Sequence, residues 1–276
     1  MIKTPTGHPL EPVFDWYQFS TKMEARDVLE LFEPMGQDDP FRDEKPKLKG
    51  YGWAKKTGGP GGSILIHYGG RNGDEHGPNV VGTGPASVRV AELVRGAGVP
   101  HGVGRADVRL DFLGDYDACR LKFIDRCNAA GMTARDNGSC PESVKQCGRS
   151  VYGGSPKSFY TPTMYQKGLQ LGDGHPVDYL RLEHRFAPTK AHEKAQLSTM
   201  TPADMVGLRP VSRDLTEKIT ALAVAPYKLD RYPKEKGPWY WMLKAYQKAL
   251  REAHSDLGSW SAVGHQIGYD LENLDV

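Results

Sequence analysis

Two stretches of this chain, Arg105–Leu113 (RADVRLDFL) and Tyr179–Phe186 (YLRLEHRF), alternate polar and apolar residues along most of their length. A period of two is the mark of a strand on a sheet with one face buried, and it does not fit a helix. In the first, Val108, Leu110 and Phe112 lie opposite Asp107, Arg109 and Asp111. In the second, Leu180, Leu182 and Phe186 lie opposite Arg181, Glu183 and Arg185, with His184 expected in the apolar face as a core histidine. A chain carrying two such strands builds a sheet with an apolar back and a charged front.

The rest of the pattern predicts an α+β fold with mixed or antiparallel sheets and helices packed on one face. Strands are expected over 13–20, 47–55, 63–68, 105–113, 132–136, 149–152, 161–166 and 179–186, and helices over 22–32, 86–95, 118–129 and 189–197. Read this way, both halves run strand, helix, strands, helix. Each also carries a Tyr-Gly-Gly, at Tyr68–Gly70 and Tyr152–Gly154, so the halves read as two related modules from an internal duplication. The expected divisions are an N-terminal module over 1–100, a catalytic module over 101–200 and a helical region over 201–276. In that last region Trp239, Met242, Leu243, Tyr246, Ala249, Leu250 and Ala253 follow helical spacing behind Pro238. Lys55–Ser63, Gly69–Pro85 and Asp136–Gly148, rich in glycine or turn residues, read as loops.

Composition narrows the function classes. The 38% hydrophobic and 25% charged fractions are those of an ordinary globular protein. No apolar run reaches the length of a membrane span, and the polar N-terminus has no signal-peptide core, so a cytoplasmic protein is expected. Cys119, Cys127, Cys140 and Cys147 include no C-x-x-C pair and read as reduced thiols. The net charge of +2 conceals an asymmetry: residues 1–44 hold 4 Lys/Arg and 10 Asp/Glu, whereas the remainder holds 32 and 24. Local excess of this kind, rather than total charge, sets affinity for phosphate.

Several residues carry candidate chemistry. Tyr165 and Lys167 fall two apart just before the Arg181–Glu183–Arg185 strand. A phenol is a weak nucleophile at neutral pH; a neighbouring cation such as Lys167 stabilises the phenolate or the transition state. Asp111 and Glu183, with Asp107 beside them, are hard oxygen donors suited to Mg²⁺ or Mn²⁺. Arg109, Arg181 and Arg185 suit phosphate, although a surface ladder of ion pairs would give the same sequence pattern. Lys45, Lys47, Lys49, Tyr51, Trp53 and Lys55 alternate in a segment that fits single-stranded DNA and fits a lysine-protected edge strand equally well. The nine histidines contain no pair one residue apart, which argues against a two-histidine metal site. No GxxxxGK[ST] loop occurs either.

Taken in order, DWYQFS at Asp15–Ser20, RLDFLGD at Arg109–Asp115, VYGGS at Val151–Ser155, MYQKG at Met164–Gly168 and YLRLEHRF at Tyr179–Phe186 resemble the Rep-trans type rolling-circle replication initiation factors of plasmids and phages. The resemblance spans roughly residues 13 to 190. It implies that Tyr165 nicks one DNA strand, forming a 5′-phosphotyrosine and a free 3′-hydroxyl, with Asp111 and Glu183 at or near a metal. It also implies origin DNA as partner, with a homodimer and a host or element helicase as further partners. Gln166 departs from the acidic residue common there. A relaxase of an integrative or conjugative element shares this chemistry; a non-catalytic origin-binding protein and an unrelated α+β metabolic enzyme are the other readings.

Overall fold

The computed structural model describes residues 4–37, 39–59, 62–70, 77–137, 148–229 and 246–272. Ten strands form one sheet, and every neighbouring pair is antiparallel. They are β1 (Val13–Thr21), β2 (Arg42–Glu44), β3 (Tyr51–Gly59), β4 (Gly62–Gly70), β5 (Asn79–Thr83), β6 (His101–Leu113), β7 (Ala134–Asp136), β8 (Ser150–Gly153), β9 (Tyr160–Gln166) and β10 (Tyr179–Phe186). The spatial order is β2-β3-β4-β5-β1-β6-β10-β9-β8-β7.

That order reads the same from either edge. In each half the first strand lies at the centre (β1, β6), the second at the edge (β2, β7), and the next three step inward. This is the connectivity expected of a duplication. The two Tyr-Gly-Gly segments are not its signature, because Tyr68 lies on β4 and Tyr152 on β8, whose topological counterpart is β3.

One face of the sheet is covered by helices. In the first half, α1 (Ala25–Phe32) and α2 (Pro85–Gly96) bring Val28, Phe32, Val90 and Val94 against Phe14, Tyr17, Phe19 and Ile66. In the second, α3 (Tyr116–Ala129) places Phe123 and Cys127 against Leu110, Phe112, Met164 and Leu182. A short helix α4 (Lys167–Leu171) follows β9. After β10 come α5 (Ala191–Leu197), α6 (Pro202–Gly207) and α7 (Pro210–Thr220). Leu197, Met205 and Val206 join the first core, and Leu215 and Ile219 the second. Asp115 caps α3 by accepting from the Ala118 amide at 2.7 Å, a contact worth about 1 kcal/mol.

The chain divides into compact units 1–229 and 230–276. The expected boundary at residue 200 thus falls inside the first unit, and the one at residue 100 falls in the loop joining the two halves of a single continuous sheet. Within the second unit, α8 (Gln247–Leu257) and α9 (Trp260–Glu272) are separated by Gly258, at φ 71°, and His254 stacks on Trp260 at 4.3 Å. Of the expected apolar helical stripe, residues 239–245 lie outside the described residues, and Tyr246 is exposed.

Three expectations change. Asn79–Thr83, expected inside a loop, is a strand between β4 and β1. Its Gly82 is a packing glycine, since a Cβ there would come within 2.9 Å of the Ser87 Cα. The strand expected over 47–55 begins only at Tyr51 and continues to Gly59, taking up most of the supposed Lys55–Ser63 loop. Lys45, Lys47 and Lys49 precede it as irregular chain. Most of the Asp136–Gly148 loop, with Cys140 and Cys147, lies outside the described residues; Cys119 and Cys127 are free and buried.

Candidate active site

The face opposite the helices carries a charged patch built from four adjacent strands. The pairing sets Arg181 between Asp111 of β6 and Tyr165 of β9, Glu183 between Arg109 and Thr163, and Arg185 between Asp107 and Thr161. Paired residues share a face, so the rows expected from the sequence meet across the strands.

Arg181 is the centre of the patch and only 3% exposed. Its Nε and one terminal nitrogen donate to the two Asp111 oxygens at 2.6 and 2.9 Å, and the other terminal nitrogen donates to Asp15 Oδ2 at 3.0 Å. Arg109 donates to Asp111 Oδ2 at 3.1 Å and stands 3.5 Å from Asp15. Asp107 is likewise buried, and both its oxygens accept from Arg105, with Arg185 donating to Oδ1 at 3.3 Å. Arg105 in turn lies over the Trp16 ring at 4.3 Å. Burial alone would depress the Arg181 guanidinium, but the Asp111 carboxylate more than offsets this and keeps it charged.

Glu183 is the least compensated carboxylate of the group. Its nearest cation is Arg185, 3.6 Å away, and Oε2 accepts a long hydrogen bond from the Tyr165 hydroxyl at 3.5 Å. Burial, then the negative charges of Asp107 and Asp15, push its carboxyl up to about 7 against the pull of Arg185 and Arg181. Burial also raises the Tyr165 phenol, opposed by Arg181. Lys167 is not a strand residue but the first residue of α4. Its Nζ stands 5.9 Å over the Tyr165 ring and donates to Gln170 at 2.8 Å; burial and then Arg181 lower its pKa.

Among the described residues no three His, Cys, Asp or Glu side chains converge closely enough to hold an ion by themselves. Asp111 and Asp107 already have both oxygens in arginine hydrogen bonds. Glu183 is different: a buried carboxylate with excess negative charge around it suits a divalent cation as compensation, the other ligands then coming from water or from a bound phosphate. The donor set fits an ion anchored on Glu183 and fits one centred on Asp107 poorly.

The remaining expected site residues are elsewhere. Trp53 and Lys55 pair opposite Tyr68 and Ile66, which sets them on the helix-bearing side of the sheet. Trp53 is exposed there, Lys55 pairs with Asp43 at 3.2 Å, and the Tyr51 hydroxyl donates to the Gly77 carbonyl. Lys47 and Lys49 are exposed in the segment before β3. Trp53 and Lys55 are therefore separated from Tyr165 by the thickness of the sheet, whereas the Tyr51 ring lies 5.6 Å from that of His67, whose Nε2 accepts from the Lys47 amide, on the other side. The sequence reading assigned no role to Asp15, which joins Arg109 to Arg181. Its signal was a lone carboxylate in the otherwise aromatic strand DWYQFS, but the pairing of β1 with β6 is what gives it a partner.

Two other tyrosines flank the site. Tyr160 is buried on the helix side, its hydroxyl 2.8 Å from His184 Nδ1, while His184 Nε2 meets Thr216 Oγ1 at 2.9 Å. Burial holds His184 neutral, with its pKa down at about 3. The expectation of a core histidine agrees with this placement. Tyr152 is exposed and shares the face of Tyr165: it pairs with Thr163, and Ser150 pairs with Tyr165.

No protein-family model and no curated protein matches the sequence. Among solved structures the chain is similar to the rolling circle replication initiator protein from Geobacillus stearothermophilus, at 20% identity, over 79% of this chain and 100% of that chain, with a TM-score of 0.53. At that identity the likeness is one of fold: this ten-stranded α+β architecture is shared with a rolling circle replication initiator.

Proposed function

We propose that the protein initiates rolling-circle replication by nicking and rejoining one strand of origin DNA. The observation that supports this most is Tyr165, on the open face of the sheet, with its hydroxyl against Glu183 and its strand neighbour Arg181. Together they supply a nucleophile, a base and a phosphate-compatible cation in a fold shared with such an initiator.

In this reading Glu183 accepts the phenolic proton as the Tyr165 oxygen attacks the scissile phosphorus. The Tyr165 oxygen–phosphorus bond forms, the bond to the 3′-oxygen breaks, and the proton returns from Glu183 to that oxygen. The products are a 5′-phosphotyrosine and a 3′-hydroxyl, and the reverse sequence rejoins the strand. Even a phenol at its usual pKa of about 10 gives its proton to a carboxylate near 7 only uphill, by about 4 kcal/mol. Phosphate entry must therefore stabilise the phenolate, through Arg181, Lys167 and a cation. Mg²⁺ or Mn²⁺ would be anchored on Glu183, with water or the phosphate as further ligands and Asp111 and Asp107 as neighbouring negative charge, and would supply positive charge at the scissile phosphate. Arg109 and Arg185, both more exposed than Arg181, hold the flanking phosphates in this reading, with Arg181 lending positive charge from beneath. Trp53 and Lys55 form a second DNA contact on the far side of the sheet, with Tyr51, Lys47 and Lys49 at the start of the same strand. A second copy of the chain and a helicase are the further partners such an initiator uses, in the cytoplasm of a bacterial host.

The test is incubation with Mn²⁺ and end-labelled single-stranded origin oligonucleotides, resolved on a denaturing gel. A covalent protein–DNA band is expected from the native chain and none from Tyr165→Phe. A native chain that binds the oligonucleotide yet forms no band would leave a non-catalytic origin-binding protein.

A further inference from the structure

A cleft of about 650 Å³ lies at the end of the β8–β9 hairpin remote from Tyr165, between that hairpin, the segment entering β7 and the start of α7. It explains the VYGGS motif, which the nicking site does not use. Gly153 packs so tightly that a Cβ would come within 2.8 Å of Cys127 Sγ and of Pro162. Gly154 takes φ +76°, and a Cβ there would meet Met132 Cε at 2.9 Å, inside the cleft wall. The glycine pair thus turns the chain outward and leaves Ser155 on the rim.

The lining is cationic and rich in hydroxyls. Arg135 and Arg209 both border the cleft, with Thr133, Ser155 and Ser158 between them and the buried Tyr160 ring in its wall. The Arg209 guanidinium is oriented by the Phe159 ring, 5.3 Å beneath it. The arginines of the Tyr165 patch are each neutralised by carboxylates. Arg135 and Arg209, by contrast, have no carboxylate partner among the described residues. Arg135, whose strand partner Tyr152 shares the Tyr165 face, and Arg209 on the helix side border one concavity without carboxylate partners, and with serine and threonine hydroxyls as additional donors they favour a phosphate over an apolar ligand.

We propose that this cleft binds backbone phosphates of the DNA strand that Tyr165 nicks, as an anchor outside the cleavage site. This rests on the nicking reading given above. Tyr160, at the cleft, and Tyr165 are five residues apart on β9, roughly 17 Å along the strand at about 3.3 Å per residue, and on opposite faces. A DNA strand reaching both rounds the end of the β8–β9 hairpin, a path longer than about five nucleotides at about 3.4 Å each. The cleft therefore holds the nicked strand several nucleotides from the scissile bond.

The experiment measures the salt dependence of binding of a fluorescein-labelled 30-nucleotide single strand to full-length protein. The native chain is compared with Arg135→Ala/Arg209→Ala and with Arg89→Ala/Lys218→Ala, which removes equal charge from exposed sites outside the cleft. Each lost phosphate contact lowers the slope of log K against log salt by about 0.7, so the cleft pair should lower it by about 1.4 and the control pair by much less. Ser155→Asp, which adds a carboxylate without removing an arginine, should weaken binding as well, and thermal melting checks that each variant is folded. Equal slopes in the native chain and the cleft pair overturn the proposal, as does an equal drop in the control pair. Either result leaves the Tyr165 adduct, scored separately, as it was. A native chain that neither binds the strand nor forms the adduct overturns both readings. Titration with AMP by calorimetry separates the sources of phosphate. Binding that disappears in the cleft pair while the DNA slope is unchanged would assign the cleft to a free nucleotide and overturn the DNA anchor.

Discussion

Arg181 grips Asp111 through two parallel hydrogen bonds, at 2.6 and 2.9 Å, and uses its remaining terminal nitrogen on Asp15. A guanidinium 3% exposed and bound to two carboxylates joins β1, β6 and β10 in one network. Arg181→Ala leaves two carboxylates without their main cation, and unfolding in urea should show a loss of about 3–5 kcal/mol. The combined Arg181→Met/Asp111→Asn variant should recover part of that loss, since no unpaired charge remains at that pair. Neither variant should form the covalent DNA adduct.

Tyr160 and Tyr152 separate by position from Tyr165. Tyr160→Phe removes the partner of a buried histidine nitrogen and should cost about 1–3 kcal/mol in urea unfolding. The adduct should still form at close to the native rate, because this hydroxyl faces the helices. Tyr152→Phe should alter neither stability nor adduct yield by more than about twofold; a phenol at that exposed position retains its ring for contact with DNA.

Glu183 makes activity and stability respond to pH in opposite directions. Below its ordinary pKa of 4.5 both the folded and unfolded chains carry the proton. Between 4.5 and about 7 only the folded chain keeps it, so the folded state binds more protons and this group's contribution to stability falls as pH rises through that window. Glu183→Gln should therefore be more stable than the native chain at pH 8 by about 1–3 kcal/mol, with the difference vanishing near pH 4. The rate of adduct formation in the native chain should climb as rising pH removes the Glu183 proton, and Glu183→Gln should abolish that step.

Metal binding can be read without activity. Calorimetric titration with Mn²⁺ should show one site in the native chain, lost in Glu183→Gln and weakened in Asp111→Asn. Asp107→Asn should alter the binding least of the three, since Asp107 is the more deeply buried of the two arginine-bound aspartates. A Glu183→Gln protein that binds Mn²⁺ as the native chain does would remove Glu183 from the metal.

Trp53 lies across the sheet from Tyr165, so its contribution should depend on DNA length. Trp53→Ala should weaken binding of a 60-nucleotide strand, losing about 1–3 kcal/mol of base stacking. A short oligonucleotide that reaches only the Tyr165 face should form adduct as before.

The strands that form the Tyr165 face were legible because each alternates on a single buried side: β9 and β10 appear in the sequence almost to the residue, and β6 from Arg105 onward. β5 was not, because its Gly82 and the glycines around it look like turn residues. Its reason for being glycine, the approach of Ser87 on α2, is a tertiary fact. Trp53 was placed on a correct alternation, but alternation does not say which side of a sheet a row faces. Asp15 needed the β1–β6 pairing, and Lys167 needed the turn into α4. Pairing and side are set by contacts between residues far apart in the chain, which a local period does not encode.

The central position of the two first strands has a consequence during synthesis. Asp15 emerges early, and Arg181, which it must meet, follows 166 residues later. A polypeptide released before β10 is complete holds Asp15 and Asp111 but lacks both Arg181 and Glu183. Interrupted translation products therefore lack the charged cluster beside Tyr165, which closes only after the last inward strand has been laid down.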